Sequence, residues 1–89
     1  MLNFYRGKIF LKEYKKIKFT DKLYLKYLIY VGTLLKEEPL PPEAKDHPLK
    51  GKFSDYREFH ISGDLLLVYR VKDETLQLIR IGSHSEIFG

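Results

Sequence analysis

Three histidines, His47, His60 and His84, are the groups in this chain best suited to exchange protons near neutral pH, because an unperturbed imidazole titrates at about 6.5. Asp64 adds a carboxylate, Arg80 and Lys50 add cations suited to an anion such as phosphate, and Phe88 adds an aromatic ring. Each has a plainer reading: His47 as a surface loop residue, His60 as a half-buried strand residue, Asp64 as a turn former, Arg80 as the cross-strand partner of Glu58, Phe88 as a cover on the core edge. The histidines lie 13 and 24 residues apart with no His-x-x-x-His pair, and cysteine is absent, so the spacing does not point to a bound metal. No phosphate-cradling or dinucleotide-type glycine motif supports a nucleotide cofactor. Ser54, Ser62, Ser83 and Ser85 lie near histidines, but nothing around them resembles a nucleophile elbow.

The elements that must position these groups can be read from periodicity. Residues Tyr56 to Ile81 read as three short antiparallel strands, YREFHI, LLLVYRV and LQLIRI, separated by Ser62-Gly63 and Lys72-Asp73-Glu74. Upstream, Leu2 to Tyr5 reads as a short edge strand. Ile9, Phe10, Tyr14 and Ile17 mark a short amphipathic helix, and Leu23, Tyr24, Tyr27, Leu28, Val31, Leu34 and Leu35 mark a second, capped by Thr20 or Asp21. Pro39, Pro41 and Pro42 end the helical pattern. The connection from Glu37 to Phe53, which carries Asp46-His47-Pro48-Leu49-Lys50-Gly51, reads as neither helix nor strand. The expected fold is α+β, a two-helix hairpin packed on one face of a small antiparallel sheet made of the N-terminal strand and the C-terminal meander.

If both hairpin turns hold an even number of residues, Glu58 lies opposite Leu67 and Leu67 opposite Arg80. Phe59, Ile61, Leu66, Val68, Ile79 and Ile81 then form an apolar face for the helices. Tyr56, Glu58, His60, Leu65, Leu67, Tyr69, Leu78 and Arg80 form a mixed, open face, with His60 and Arg80 roughly 10 Å apart across the central strand, enough for a phosphate and its flanking sugars. An odd turn or a bulge reverses such assignments.

The chain is 89 residues, room for one domain over 1–89. With 44% hydrophobic residues and no apolar run approaching a membrane span or signal peptide, it is expected to be soluble and cytoplasmic, with no membrane partner. The net charge of +4 is uneven: residues 1–30 hold eight Lys or Arg against Glu13 and Asp21, 8 − 2 = +6. That bias suits a polyanion, although lysines on the wet faces of helices produce the same pattern.

Several stretches together resemble the YafQ-type messenger RNA interferases of the RelE/ParE toxin superfamily. They are Lys45-Asp46-His47-Pro48-Leu49-Lys50-Gly51, Tyr56-Arg57-Glu58-Phe59-His60, Asp64 followed by Leu66-Leu67-Val68-Tyr69, Arg80-Ile81-Gly82-Ser83-His84, and Ile87-Phe88-Gly89. The resemblance implies a toxin that cleaves messenger RNA at the ribosome without a cofactor and is silenced by a cognate antitoxin. It places the family's functional residues at His47, His60, Asp64, Arg80, His84 and Phe88. Leu65 stands where the family can carry tryptophan, a difference that bears on base stacking and target preference. RNA cleavage without metal needs a base for the ribose 2′-hydroxyl, an acid for the leaving 5′-oxygen and positive charge at the phosphate. In that scheme His84 is the acid, Asp64 a base or the group that orients one, His47 and His60 hold the scissile phosphate region, Arg80 and Lys50 meet phosphate charge, and Phe88 stacks on a base. Two other readings use the same residues differently: a non-catalytic inhibitor of a protein target such as gyrase, which needs no histidines, and an RNA-binding module that leaves its RNA intact.

Overall fold

Two helices account for the N-terminal periodicities, and their caps explain where they stop. In the computed structural model, which describes residues 1–89, β1 (Asn3–Arg6) leads into α1 (Lys8–Lys16) and α2 (Asp21–Leu35). The Thr20 hydroxyl accepts from the Leu23 amide at 3.2 Å and so starts α2. At its other end Glu37 takes a left-handed conformation, φ 59°, and the Glu37 and Glu38 amides reach back to the Leu34 and Thr33 carbonyls. Tyr14, Phe19, Tyr24 and Tyr27 form a chain of ring contacts between the helices, with centroids 5.4 to 6.2 Å apart. Burial pushes the Tyr27 hydroxyl up to about 12.

Beyond the prolines come β2 (His47–Pro48), β3 (Arg57–His60), β4 (Leu66–Lys72), β5 (Thr75–Gly82) and α3 (His84–Phe88), with single 3-10 turns at Pro42–Ala44 and Gly51–Phe53. The five strands form one sheet in the order β1-β5-β4-β3-β2. It is a mixed sheet and not an antiparallel one, because β1 runs parallel to β5, from Asn3 beside Thr75 to Arg6 beside Leu78. The chain leaves β1 through two helices and not through a hairpin, so nothing requires the antiparallel sense. The stretch expected to be free loop contributes a strand as well: His47 pairs with Glu58 and Pro48 with Arg57. Two residues carry too little periodicity to be seen in sequence, and proline is tolerated there because β2 is an edge.

Register departs from the even-turn expectation in two places. The β3–β4 loop is Ser62 to Asp64, an odd turn closed by the Ile61 amide on the Leu65 carbonyl at 2.8 Å. On β5, Val68 pairs with Arg80 but Tyr69 with Leu78, leaving Ile79 as a bulge. The odd turn flips β4, so Leu67 and Tyr69 join the helix-side core while Leu66 and Val68 lie outside that cluster. The bulge restores the face of Arg80, which with Glu58 flanks Val68. Leu78, expected on the open face, is in the core, and Ile79 lies outside it. The core joins Phe10, Tyr27, Tyr30, Val31 and Leu34 of the helices to Phe59, Ile61, Leu67, Tyr69, Leu76, Leu78 and Ile81 of the sheet. No helix is long and apolar enough to cross a membrane.

Candidate active site

The sheet face away from that core holds a shallow groove lined by His47, Leu49, Lys50, Phe53, Glu58, His84 and Phe88. At its base is Glu58, the one charged side chain buried in the molecule, only 5% exposed. Its Oε2 lies 3.1 Å from His47 Nε2 and 3.8 Å from His60 Nε2, and its Oε1 has no hydrogen-bond partner. Leaving a buried carboxylate oxygen without a hydrogen-bond partner costs about 1–3 kcal/mol.

His47 is held from both sides. Its Nδ1 donates to the Lys45 carbonyl at 2.7 Å, and Nε2 faces Glu58. The His47–Glu58 contact is an ion pair when the imidazole is protonated. Lys45 bends the chain for this contact by adopting a left-handed conformation, φ 50°. Behind it, Asp46 Oδ1 accepts from Tyr69 Oη at 2.7 Å and from Arg57 Nε at 3.3 Å. Burial raises the Tyr69 pKa, and its bond to Asp46 raises it further. Burial opposes the charge on Arg57, but its bonds to Tyr69 and Asp46 outweigh that and leave its pKa raised. The segment bearing His47 is thus clamped to the sheet through the residue before it.

His84 and Phe88 arrive on α3, a five-residue helix that the sequence reading left without structure. Its start is a reciprocal capping box: the Ser83 hydroxyl accepts from the Glu86 amide at 3.2 Å, and Glu86 Oε1 accepts from the Ser83 amide at 2.8 Å. The Ser83 backbone bond holds the Glu86 carboxyl below its usual range. Gly82 serves this cap through its lack of a side chain, since a Cβ there would lie 3.0 Å from Glu86 Oε1. What Gly82 contributes is space and not unusual backbone torsion. The rings of His84 and Phe88 lie 5.0 Å apart, and Phe88 meets Phe53 edge-on at 5.7 Å.

His47, Lys50, His84 and Phe88 therefore line one groove, and His60 borders it through Glu58. Arg80 is two strands from Glu58 on the same row and lines an adjoining apolar hollow with Ile9, Tyr56, Val68, Ile79, Ile87, Phe53 and Phe88. Its guanidinium pairs with Glu13 of α1 and not with Glu58, at 2.9 Å on both arms. The Glu13 hydrogen bonds raise the Arg80 pKa. Asp64 is not brought in: it is exposed in the odd turn, its amide 3.4 Å from the Ser62 hydroxyl. Leu65 is half-buried and packs against the core. Sequence reasoning placed Glu58 on the open face but gave it no role beyond pairing with Arg80. The available signal was a lone acid among the alternating residues of a strand.

Comparison places this fold among bacterial toxins. A family model described as a bacterial toxin of type II toxin-antitoxin system, YafQ, matches residues 2–89. The chain is 41% identical over 76 residues to the mRNA interferase toxin YafQ of Escherichia coli K12, covering 84% of this chain and 78% of that protein. Among solved structures, a copper-bound mutant toxin from Helicobacter pylori is 45% identical with a TM-score of 0.87, over 99% of this chain and 100% of the other. A chain of the Escherichia coli DinJ–YafQ complex is 33% identical with a TM-score of 0.82, over 100% of both. The chain belongs to the YafQ family of toxins of type II toxin–antitoxin systems.

Proposed function

We infer that this toxin is an endoribonuclease, an mRNA interferase that cuts messenger RNA at the ribosome by acid–base chemistry and is restrained by a cognate antitoxin. The observation that carries the reading is the buried Glu58, one oxygen against His47 and the other unpartnered, in a groove that also presents His84. The ribose 2′-oxygen attacks phosphorus while its proton passes to the Glu58–His47 pair. The 5′-oxygen leaves with a proton from His84, giving a 2′,3′-cyclic phosphate and a free 5′-hydroxyl. Arg80 and Lys50 offset charge on the phosphorane-like transition state. His60 supports Glu58 from its second side, and Phe88 stacks on a flanking base, a contact worth about 1–3 kcal/mol. The base role falls to Glu58 and not to Asp64, because Glu58 is the carboxylate within reach of two imidazoles.

No group of three or more His, Cys, Asp or Glu side chains is arranged to hold a metal ion. The steps above use side chains alone.

The test is primer extension on a message incubated with purified ribosomes and the protein, with His84→Ala alongside. Discrete in-frame cuts are expected from the unmodified protein, with a loss of about 10²-fold or more in the variant. An uncut message on active ribosomes refutes the nuclease reading and favours the inhibitor of a protein target. Exposed lysines on α1 suit ribosomal RNA. Charge reversal at Lys12 and Lys16 is expected to weaken ribosome binding and flatten its salt dependence, whereas an unchanged salt slope makes them plain solvated charges.

A further inference from the structure

We propose that Glu13 is a positioning residue for Arg80, fixing the plane of its guanidinium so that the unused N–H groups meet the reacting phosphate. The proposal rests on the reading of Arg80 as the charge that stabilises the transition state.

The contact differs from an ordinary surface ion pair in three respects. It is bidentate, with Arg80 Nε on Glu13 Oε1 and Nη2 on Oε2, both at 2.9 Å. Two parallel bonds fix orientation as well as distance. It is also anchored to backbone, because Oε1 accepts from the Ile81 amide at 3.1 Å. Pairing of β1 with β5 ends at Arg6 and Leu78, so beyond that point the Glu13 carboxylate serves the edge amide in place of a strand. Finally, both partners are largely withdrawn from water, with side-chain exposures of 30% for Arg80 and 20% for Glu13.

A guanidinium has five N–H donors. Glu13 occupies the Nε donor and one on Nη2, leaving the second Nη2 donor and both on Nη1. Arg80 lines the hollow that shares Phe53 and Phe88 with the catalytic groove. A cation held edge-on by a rigid carboxylate is already oriented when substrate arrives, and a flexible one has to be ordered during the reaction. Misplacement of a catalytic group by about 1 Å can cost on the order of 10²-fold in rate.

The experiment measures kcat and KM separately for cleavage of a ribosome-bound message by Glu13→Gln, Glu13→Ala, Arg80→Ala and the Glu13→Ala/Arg80→Ala double variant, with thermal melts of each. Glu13→Gln keeps the shape of the side chain but turns an amide N–H group toward one guanidinium donor. It is expected to lower kcat about 10-fold with KM changed less than about 2-fold. The double variant is expected to match Arg80→Ala, because with no guanidinium there is nothing left to position. A further loss in the double variant equal to that of Glu13→Ala alone overturns the proposal and makes Glu13 structural. A gain in turnover from either Glu13 variant also overturns it, since the contact is then an inhibitory latch. Full activity in Arg80→Ala identifies a different failure, that of the Arg80 role itself.

Discussion

Replacing Glu58 by glutamine is expected to stabilise the protein while nearly abolishing its activity, and the opposite signs make the experiment decisive. The stability side follows from two opposing interactions. Glu58 is 5% exposed with Oε1 unpartnered, a burial that costs about 1–3 kcal/mol. Against this stands the contact with His47 at 3.1 Å, whose side chain is 48% exposed. An ion pair with one partner so wet contributes about 1 kcal/mol or less. A neutral amide of the same shape lowers the desolvation cost and keeps an oxygen that can accept from His47. The net expectation is a gain of about 1 kcal/mol, which in a domain of this size raises Tm by roughly 4–8 °C. The activity side follows from the loss of the proton acceptor, about 10²–10⁴-fold in general-base chemistry. Thermal denaturation by circular dichroism and message cleavage on ribosomes, with the same preparations, read both. A variant that melts lower by about 1 kcal/mol or more and still cleaves normally refutes the reasoning, because Glu58 is then a structural partner of His47 and nothing else.

Three further outcomes test the supports of the site. Tyr69→Phe removes the 2.7 Å donor to Asp46 and is expected to cost about 1.5–3 kcal/mol by urea unfolding, with reduced cleavage as His47 loses its anchor; a loss below about 0.5 kcal/mol shows that the clamp carries no strain. Gly82→Ala places a Cβ 3.0 Å from Glu86 Oε1 and is expected to open the capping box, broadening the NMR signals of His84 and Phe88 and lowering cleavage without unfolding the core. The Glu86 carboxyl titrates below its ordinary value of 4.5, so the support it gives α3 is complete above that value and is lost as pH falls through the lower folded one. Phe88 ring shifts followed between pH 6 and 3 are expected to show α3 loosening before the core unfolds, and simultaneous loss of both contradicts the assignment.

Much of the scaffold was legible because it rests on repeating patterns. The apolar spacing of α2, the prolines that end it and the alternation in β3 are properties of short windows, and each survives in the structure. Site geometry depends on single-residue events that no window records. The odd turn at Ser62 to Asp64 flips β4 and sends Leu67 and Tyr69 inward, and the bulge at Ile79 returns Arg80 to the face shared with Glu58. His47 was visible as chemistry, yet its strand is two residues long and exists because Glu58 and Arg57 offer it an edge. Glu13 lies 67 residues from Arg80, a separation across which sequence alone carries no sign of pairing.

The parallel pairing of β1 with β5 also sets an order of events during synthesis. Asn3 finds its neighbour only at Thr75, so the first strand made has no sheet to join until nearly all the others exist. Pairings so distant along the chain are slow to close, because loop entropy is spent before contacts repay it. Glu13 likewise has nothing to grip until Arg80 and Ile81 have been added. A growing chain can form α1 and α2 early, but the face that carries the histidine groove assembles with the last strand, and a half-made molecule is not yet a toxin.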